Sequence, residues 1–295
     1  MCRWLAYRGS PITIDKLVTK PDHSLVDQSI NARRLVVRNY RWAEMFPGDR
    51  FPTNGEGFGL AFVGQEGKIG LFREILPAWN SHNLQSLAPQ IETTALLAHV
   101  RAAPAGTVSQ ENCHPFVHDG WMFQHNGTVG DFEKLKRDLQ MDVAPELFPF
   151  IQGNMDTETC FYLALTYGLD QDPVGAMLRM NERVEAARLA SGVTAPFGAT
   201  MCASDGKRMV TMRVSSREGL GDRPVPESPS LFEARGPVRL RMADGSEEVL
   251  PEDTLLICSE PLELDFSEET WKPMPDRTIT FYPEVGEPTH TQIPL

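Results

Sequence analysis

The sequence has five cysteines in 295 residues, Cys2, Cys113, Cys160, Cys202 and Cys258, and no two of them form a CxxC pair. An odd number at wide spacings excludes a disulfide framework and a zinc knuckle, and reduced thiols in a cytoplasmic chain are expected. Positive charge is also scarce. Lys and Arg number 28 against 40 Asp and Glu, a net charge of −12. Acidity of this size argues against a nucleic-acid partner and against an anionic membrane surface. No apolar run approaches the length of a membrane span. The start, Met1-Cys2-Arg3-Trp4, has no apolar stretch ahead of a cleavage site, so neither a secretory leader nor a lipoprotein cysteine is expected. Cys2 is therefore expected at the true start of a cytosolic chain. The sequence also has no HExxH, HxxEH, GxxxxGK[ST] or GxGxxG pattern, so no metal and no cofactor is expected. Internal repeats, low-complexity segments and long linkers are absent.

What remains is ordinary globular composition, 41% hydrophobic and 23% charged, over a length that suits one large domain, residues 1–295. Short runs rich in Val, Ile, Leu and aromatics, bounded by Gly, Pro, Asn or Asp, read as strands at 4–7, 57–63, 69–73, 95–101, 121–125, 198–203, 209–214, 238–242, 254–258 and 278–282. Residues 238–249 read as a hairpin turning at Asp244-Gly245. Helices are expected at 84–91, 132–139, 157–167 and 174–189, the third apolar and buried, the fourth amphipathic. Two irregular segments, 33–53 and 217–236, read as surface excursions from one domain. Strands clustered in groups with helices between them favour an α+β layered sandwich over a doubly wound sheet.

Four places could carry chemistry. Once Met1 is removed, Cys2 offers a thiol and a free α-amino group on one residue. An α-amino group titrates near ~7.7–8.0 and can take the thiol proton near neutral pH. Taken alone, Cys2 is more simply a second residue that happens to be cysteine. Arg101 ends an apolar run in Ala98-His99-Val100-Arg101, where a guanidinium suits a carboxylate ligand, or simply marks a strand reaching solvent. In His125-Asn126-Gly127, the Asn126 side-chain amide and the Gly127 N–H could face a developing oxyanion. Asn-Gly after a strand is also a hairpin signal, and a turn could present both donors. Asp156 opens an apolar helix, where it is an N-cap candidate or a ligand for an ammonium; in the second case Asn154 or Thr157 would cap. Cys113-His114 suggests a metal pair, but neighbours in a strand point to opposite faces, which favours a packed histidine. His23, His82, His118 and His290 stand alone.

In order, Met1-Cys2-Arg3, Asn54-Gly55-Glu56-Gly57-Phe58-Gly59, His99-Val100-Arg101, Asn112-Cys113-His114-Pro115-Phe116, His125-Asn126-Gly127 and Asp156-Thr157-Glu158 resemble class II glutamine amidotransferases. Ser259-Glu260-Pro261-Leu262 and Trp271-Lys272-Pro273-Met274-Pro275 resemble that family's closing strand, so the resemblance spans residues 1–275. Arg3-Trp4-Leu5, His23-Ser24 and Gln28-Ser29 are most similar to the stand-alone branch, which includes the amidotransferase-like subunit of the fungal glutathione-degrading complex and the γ-glutamyl hydrolase of ergothioneine synthesis.

The resemblance implies an Ntn-hydrolase fold, a four-layer αββα sandwich of antiparallel sheets. It implies Cys2 as nucleophile with its own amine as base, and Asn126 and Gly127 as oxyanion hole. Arg101 would hold the α-carboxylate and Asp156 the α-ammonium of a small γ-glutamyl substrate, with His99 beside them. The sequence departs from the sugar-linked branch at Ala102, Pro104 and Glu56, on the side of the pocket that would meet the leaving group. No synthetase domain follows residue 275, so either water is the final acceptor or a separate partner enzyme receives the product.

Overall fold

Along β1 (Arg3–Thr13), alternate side chains enter different cores: Leu5 and Tyr7 join one buried cluster, Trp4 and Ala6 another. Period-two alternation sends neighbours to opposite faces of a sheet, so a strand buried on both faces separates two layers. The computed structural model describes residues 2–33, 53–102, 108–223 and 225–294, and this division runs through all of it.

The remaining strands are β2 (Phe58–Val63), β3 (Ile69–Glu74), β4 (Glu92–Val100), β5 (Phe116–His118), β6 (Trp121–Val129), β7 (Phe197–Ser204), β8 (Met209–Ser215), β9 (Phe232–Arg235), β10 (Arg239–Arg241), β11 (Glu247–Val249), β12 (Leu255–Cys258), β13 (Lys272–Pro273), β14 (Thr278–Tyr282) and β15 (Thr289–Gln292). One seven-stranded sheet has the order β13-β9-β12-β1-β4-β2-β3, and a six-stranded sheet has the order β15-β14-β8-β7-β6-β5. Neighbours within both sheets run antiparallel.

Helices α1 (Asp15–Val18), α2 (Leu25–Asn31) and α3 (His82–Leu87) precede β4, and α4 (Phe132–Met141), α5 (Asp156–Thr166) and α6 (Pro173–Ala190) lie between β6 and β7. Leu17, Leu25 and Leu84 from the first three pack with Leu96, Ala98 and Val100 of β4, on the outer face of the larger sheet. Leu135, Phe161, Met177 and Met180 from the last three pack with Phe123 of β6 and Met201 of β7, on the outer face of the smaller sheet. A third cluster draws on both sheets. Trp4, Ala6, Ala95, Leu97 and Ile257 meet Met122, Cys202 and Met209 between them. Helix, sheet, sheet, helix: the layers are those of an αββα sandwich. Each large aliphatic side chain so buried contributes about 1.5–3 kcal/mol.

The expected hairpin within 238–249 is present as β10–β11, with Arg239 opposite Val249. Several expectations need correction. The helix expected at 84–91 spans His82–Leu87 and is capped by Ser81, whose side chain accepts from Leu84 N–H. The strand expected at 4–7 continues to Thr13, through an irregularity between Arg8 and Ile12. Residues 217–236 end in a true strand, β9. Asn126-Gly127 is not a turn, because both residues lie inside β6, opposite Thr200 and Ala199 of β7. Cys113 and His114 are in a bend before β5, not in a strand. Most of the 33–53 excursion, and Pro104, lie outside the described residues. Among the described residues no helix is long and apolar enough to cross a membrane.

Candidate active site

Strand parity assembles the site. His99 pairs with Trp4, so its side chain shares the inter-sheet layer with Trp4, while Val100 joins the outer core. One step further, Cys2 meets the residues after β4: the Ala102 N–H donates to Cys2 Sγ at 3.3 Å. In the facing sheet, Met122 points into the same layer, and Gln124 and Asn126 follow it at period two. The Gln124 side-chain amide donates to Leu5 O at 2.9 Å, and Trp4 Nε1–H donates to Thr200 Oγ1 at 3.1 Å. These two bonds tie the sheets together beside the site. Cys2 and Arg101 therefore come from the larger sheet, and Asn126 and Gly127 from the smaller one.

Arg101 is buried and wrapped by the Asn54–Gly57 run. Its N–H donates to Gly57 O at 2.8 Å, and Glu56 N–H donates to Arg101 O at 3.1 Å. Gly57 has a φ of +113°, and a Cβ there would lie 2.6 Å from Cys113 Sγ, so only glycine permits this wrapping. The guanidinium reaches toward the start of α5, where Nη2 lies 3.6 Å from Met155 Sδ. Asp156 is the next residue. It does not cap α5: Met155 is the N-cap residue and provides no side-chain bond, and neither Asn154 nor Thr157 replaces it. Instead Asp156 Oδ2 accepts from Val129 N–H and Oδ1 from Thr157 N–H, both at 2.8 Å. The carboxylate thus ties the helix start to the end of β6. Oδ2 retains a second lone-pair direction, because each carboxylate oxygen accepts at about two sites.

In β6, Asn126 is buried, with Oδ1 lacking a hydrogen-bond partner among the described residues. Gly127 has a φ of +148°, and a Cβ there would stand 2.0 Å from Gly198 O and 2.7 Å from His125 Nε2.

Beneath these groups lies a histidine cluster that the sequence reading only touched. His99 Nε2 lies 3.1 Å from His125 O and 2.9 Å from His114 Nδ1. His125 Nδ1 lies 2.8 Å from Thr157 Oγ1, which in turn points to Asp156 Oδ1 at 3.4 Å. Burial pushes all three rings toward the neutral form. His99 falls to about 3, His114 well below the usual histidine range, with His99 as the next cause, and His125 also falls. Among the described residues no cluster of His, Cys, Asp and Glu is arranged to hold a metal ion. Cys113 is buried, and burial raises its thiol pKa, whereas Cys2 is the one partly exposed cysteine. His125, His114 and Thr157 were not singled out as partners of one another. They come from three segments, and only the fold brings them together.

The glutamine amidotransferases class-II family model matches residues 37–292, a span that begins after Cys2. The chain belongs to the class II glutamine amidotransferases. This amidotransferase is 30% identical over 307 residues to the probable glutamine amidotransferase DUG3 of Saccharomyces cerevisiae, covering 95% of this chain and 81% of that one. It is 31% identical over 130 residues to the gamma-glutamyl-hercynylcysteine sulfoxide hydrolase of Mycolicibacterium smegmatis, covering 44% of this chain and 52% of the relative. The solved glutamine aminotransferase class-II domain protein of Silicibacter pomeroyi superposes with a TM-score of 0.67 at 24% identity, over all of both chains, and shares the fold. Family membership makes this protein an enzyme of the amidotransferase-type hydrolases.

Proposed function

We propose that this amidotransferase hydrolyses the γ-amide of a free glutamyl head group through a γ-glutamyl thioester on Cys2. The observation that supports the proposal is that Cys2 Sγ lies against the residue after Arg101, at the end of β4, while His99 of the same strand reaches across the inter-sheet layer to His125 O, the residue before Asn126 and Gly127. In this reading Met1 is removed and the α-amino group of Cys2 takes the thiol proton. Sγ attacks the γ-carbonyl carbon, and the oxyanion is met by the Asn126 amide and the Gly127 N–H. As the C–N bond breaks, the α-ammonium returns the proton to the departing amine. A water then attacks the thioester, giving glutamate and the free thiol.

Arg101 would hold the α-carboxylate and Asp156 the α-ammonium. The path from Arg101 through Met155 to Asp156 supports both, since it sets a cation and an anion on neighbouring residues at the helix start. His99 was expected to touch substrate. Its bonds to His125 O and His114 support a role one step removed, in holding β6 beneath Asn126. The names of the relatives span an amidotransferase and a γ-glutamyl hydrolase, and the chemistry they share is the γ-glutamyl amide.

The test is a panel of glutamine, γ-glutamylcysteine, glutathione and their N-acylated forms, assayed with and without cell extract. Turnover should require a free α-amino head and tolerate different leaving amines. Equal turnover of N-acylated and free compounds would refute the head-group assignment. Activity only with extract would instead point to a partner enzyme that receives the product.

A further inference from the structure

Arg3, Glu260 and His23 are all buried, and they form a charge cluster on the face of β1 turned away from the proposed reaction. Arg3 pairs with Val100, whose side chain belongs to the outer core beneath α2. From that side Arg3 Nε donates to Glu260 Oε1, while Nη1 turns back and donates to the carbonyl oxygen of Cys2 at 2.9 Å. We infer that Glu260, acting through Arg3, is a positioning residue for the Cys2 nucleophile, and that the cluster fixes the main-chain orientation of residue 2. The inference rests on the proposed role of Cys2.

Once Met1 is gone, the main chain of residue 2 is held covalently from one side only, and its thiol meets Ala102. Its ψ angle decides where both the amine and the thiol point, and the Cys2 carbonyl is the handle that sets ψ. A planar guanidinium suits this task. Its several donors keep a fixed geometry, so a bond to Glu260 aims the Nη1 bond to Cys2 O.

Glu260 is in turn held from several directions. The neighbouring Ser259 N–H donates to Trp4 O at 2.9 Å, and Trp4 N–H donates to Ser259 Oγ at 3.1 Å, continuing the β1–β12 pairing past Cys258. Glu260 Oε2 lies 3.0 Å from His23 Nε2 and also accepts from Arg33 N–H at 3.0 Å. His23 Nδ1 is 2.7 Å from Asp27 Oδ2 on α2. Both ring nitrogens thus face carboxylates, which only accept, so His23 carries both protons and is an imidazolium. The cluster then balances, with Arg3 and His23 against Glu260 and Asp27. The titration directions agree. Burial opposes the charge on Glu260, but Arg3 first and His23 next outweigh it and hold the carboxyl at about 2. Burial likewise disfavours charge on His23, and the bonds to Asp27 and Glu260 reverse that. Well-packed apolar residues generally hold a core at least as firmly as a buried ion pair. A cluster of this kind, reaching the nucleophile residue through Nη1, is accounted for by aim.

The test uses the full chain in five forms: wild type, Cys2→Ala, the charge-neutral pair Arg3→Met with Glu260→Gln, Arg3→Lys, and Arg239→Gln as a control on an exposed ion pair outside the cluster. The double variant keeps an acceptor for His23 and Arg33 while removing the link to Cys2 O. Arg3→Lys keeps the charge, but a single ammonium lacks the fork that serves both partners. Thermal melting, and kcat and KM on the best substrate of the panel, are measured for each, with the pH profile of Cys2 alkylation by a glutamine-derived diazo label for the forms that keep Cys2. A double variant that melts cooperatively should show kcat at least about tenfold lower with KM within about threefold. Its alkylation profile should shift, while Arg239→Gln keeps the wild-type profile. If the double variant does not melt cooperatively, Arg3→Lys is judged by the same values. Wild-type kcat and profile in a folded variant would overturn the inference while leaving the role of Cys2 intact. Wild-type turnover that survives in Cys2→Ala would overturn the reading of Cys2, and this inference with it.

Discussion

His99 Nε2 stands 3.1 Å from the main-chain oxygen of His125, across the gap between the two sheets. A carbonyl only accepts, so Nε2 carries the proton, and burial keeps the ring neutral by lowering its pKa to about 3. His99 Nδ1 is therefore a lone pair, and it has no partner among the described residues. This bond fixes the residue that precedes Asn126.

Acid should unfold the protein earlier than its surface charge alone would suggest. The folded pKa values of His99, His114 and His125 are all depressed by burial. Above about pH 6.5 the rings are neutral in both states and contribute nothing to the pH dependence. Below that value the unfolded chain binds protons that the folded chain refuses, so stability falls as pH falls, with the window for His99 reaching down to about 3. Each ring contributes about 1.4 kcal/mol per pH unit inside its window. His23 has the opposite sign: its pKa is raised, so its contribution is complete below the unfolded value and is lost as pH rises through the folded value. Urea unfolding across the acid range should show the slope, and His99→Gln should reduce it by about one proton. A midpoint that does not move with pH would mean the rings are solvated.

Alkylation should select one thiol. Cys113, Cys160, Cys202 and Cys258 are buried, and burial raises the pKa of each, whereas Cys2 is partly exposed. A glutamine-derived diazo or chloroketone label should map to Cys2 in peptide digests, and Cys2→Ala should lower kcat by about 10³-fold or more. Label recovered on any of the four buried cysteines would contradict the assignment.

The two oxyanion residues should fail differently. Asn126→Ala should fold and lose about 10²–10³ in kcat, the usual effect of removing one oxyanion donor. Gly127→Ala should lose its fold, because the new Cβ would lie 2.0 Å from Gly198 O at a φ of +148°. Circular dichroism with kcat separates the cases. A stable, active Gly127→Ala would show that β6 relaxes there.

Head-group contacts should appear in kcat/KM. Arg101→Ala should lower it by at least about tenfold through the loss of a charge-assisted bond worth roughly 1.5–3 kcal/mol. Asp156→Ala should do the same and also lower Tm, because the carboxylate holds Val129 N–H. Asp156→Asn, which keeps an acceptor for that bond, should recover much of the Tm and little of kcat/KM. Recovery of both would reduce Asp156 to a structural clamp.

The fold was legible because short apolar runs such as Trp4–Tyr7 mark strands and the family resemblance implied the four-layer order; that Trp4 and Ala6 enter one core while Leu5 and Tyr7 enter another shows only once the sheets are assembled. Short strands such as β5, β9, β13 and β15 escaped notice because two to four residues carry almost no periodic signal. Asn126-Gly127 misled for a physical reason. The dipeptide favours a hairpin because it tolerates positive φ, and here the same tolerance serves close packing against Gly198 inside a continuous strand. The candidate site was legible as separate motifs. The cluster of His99, His114 and His125 was not, since its members become neighbours only when β4, the bend before β5, and β6 pack together. His23 looked solitary for the same reason, because its second carboxylate comes from residue 260.

The layer shared by the two sheets also acts as a spacer. On the proposed assignment the thiol belongs to one sheet and the oxyanion donors to the other, so their separation is set by the thickness of the packing between Trp4, Ala6 and Leu97 on one side and Met122, Cys202 and Met209 on the other. A closely packed interior transmits changes of even one methylene. Side chains with no access to substrate thereby hold the tolerance of the reaction geometry, and catalytic rate in this protein becomes a property of sheet-to-sheet distance as much as of any single reacting group.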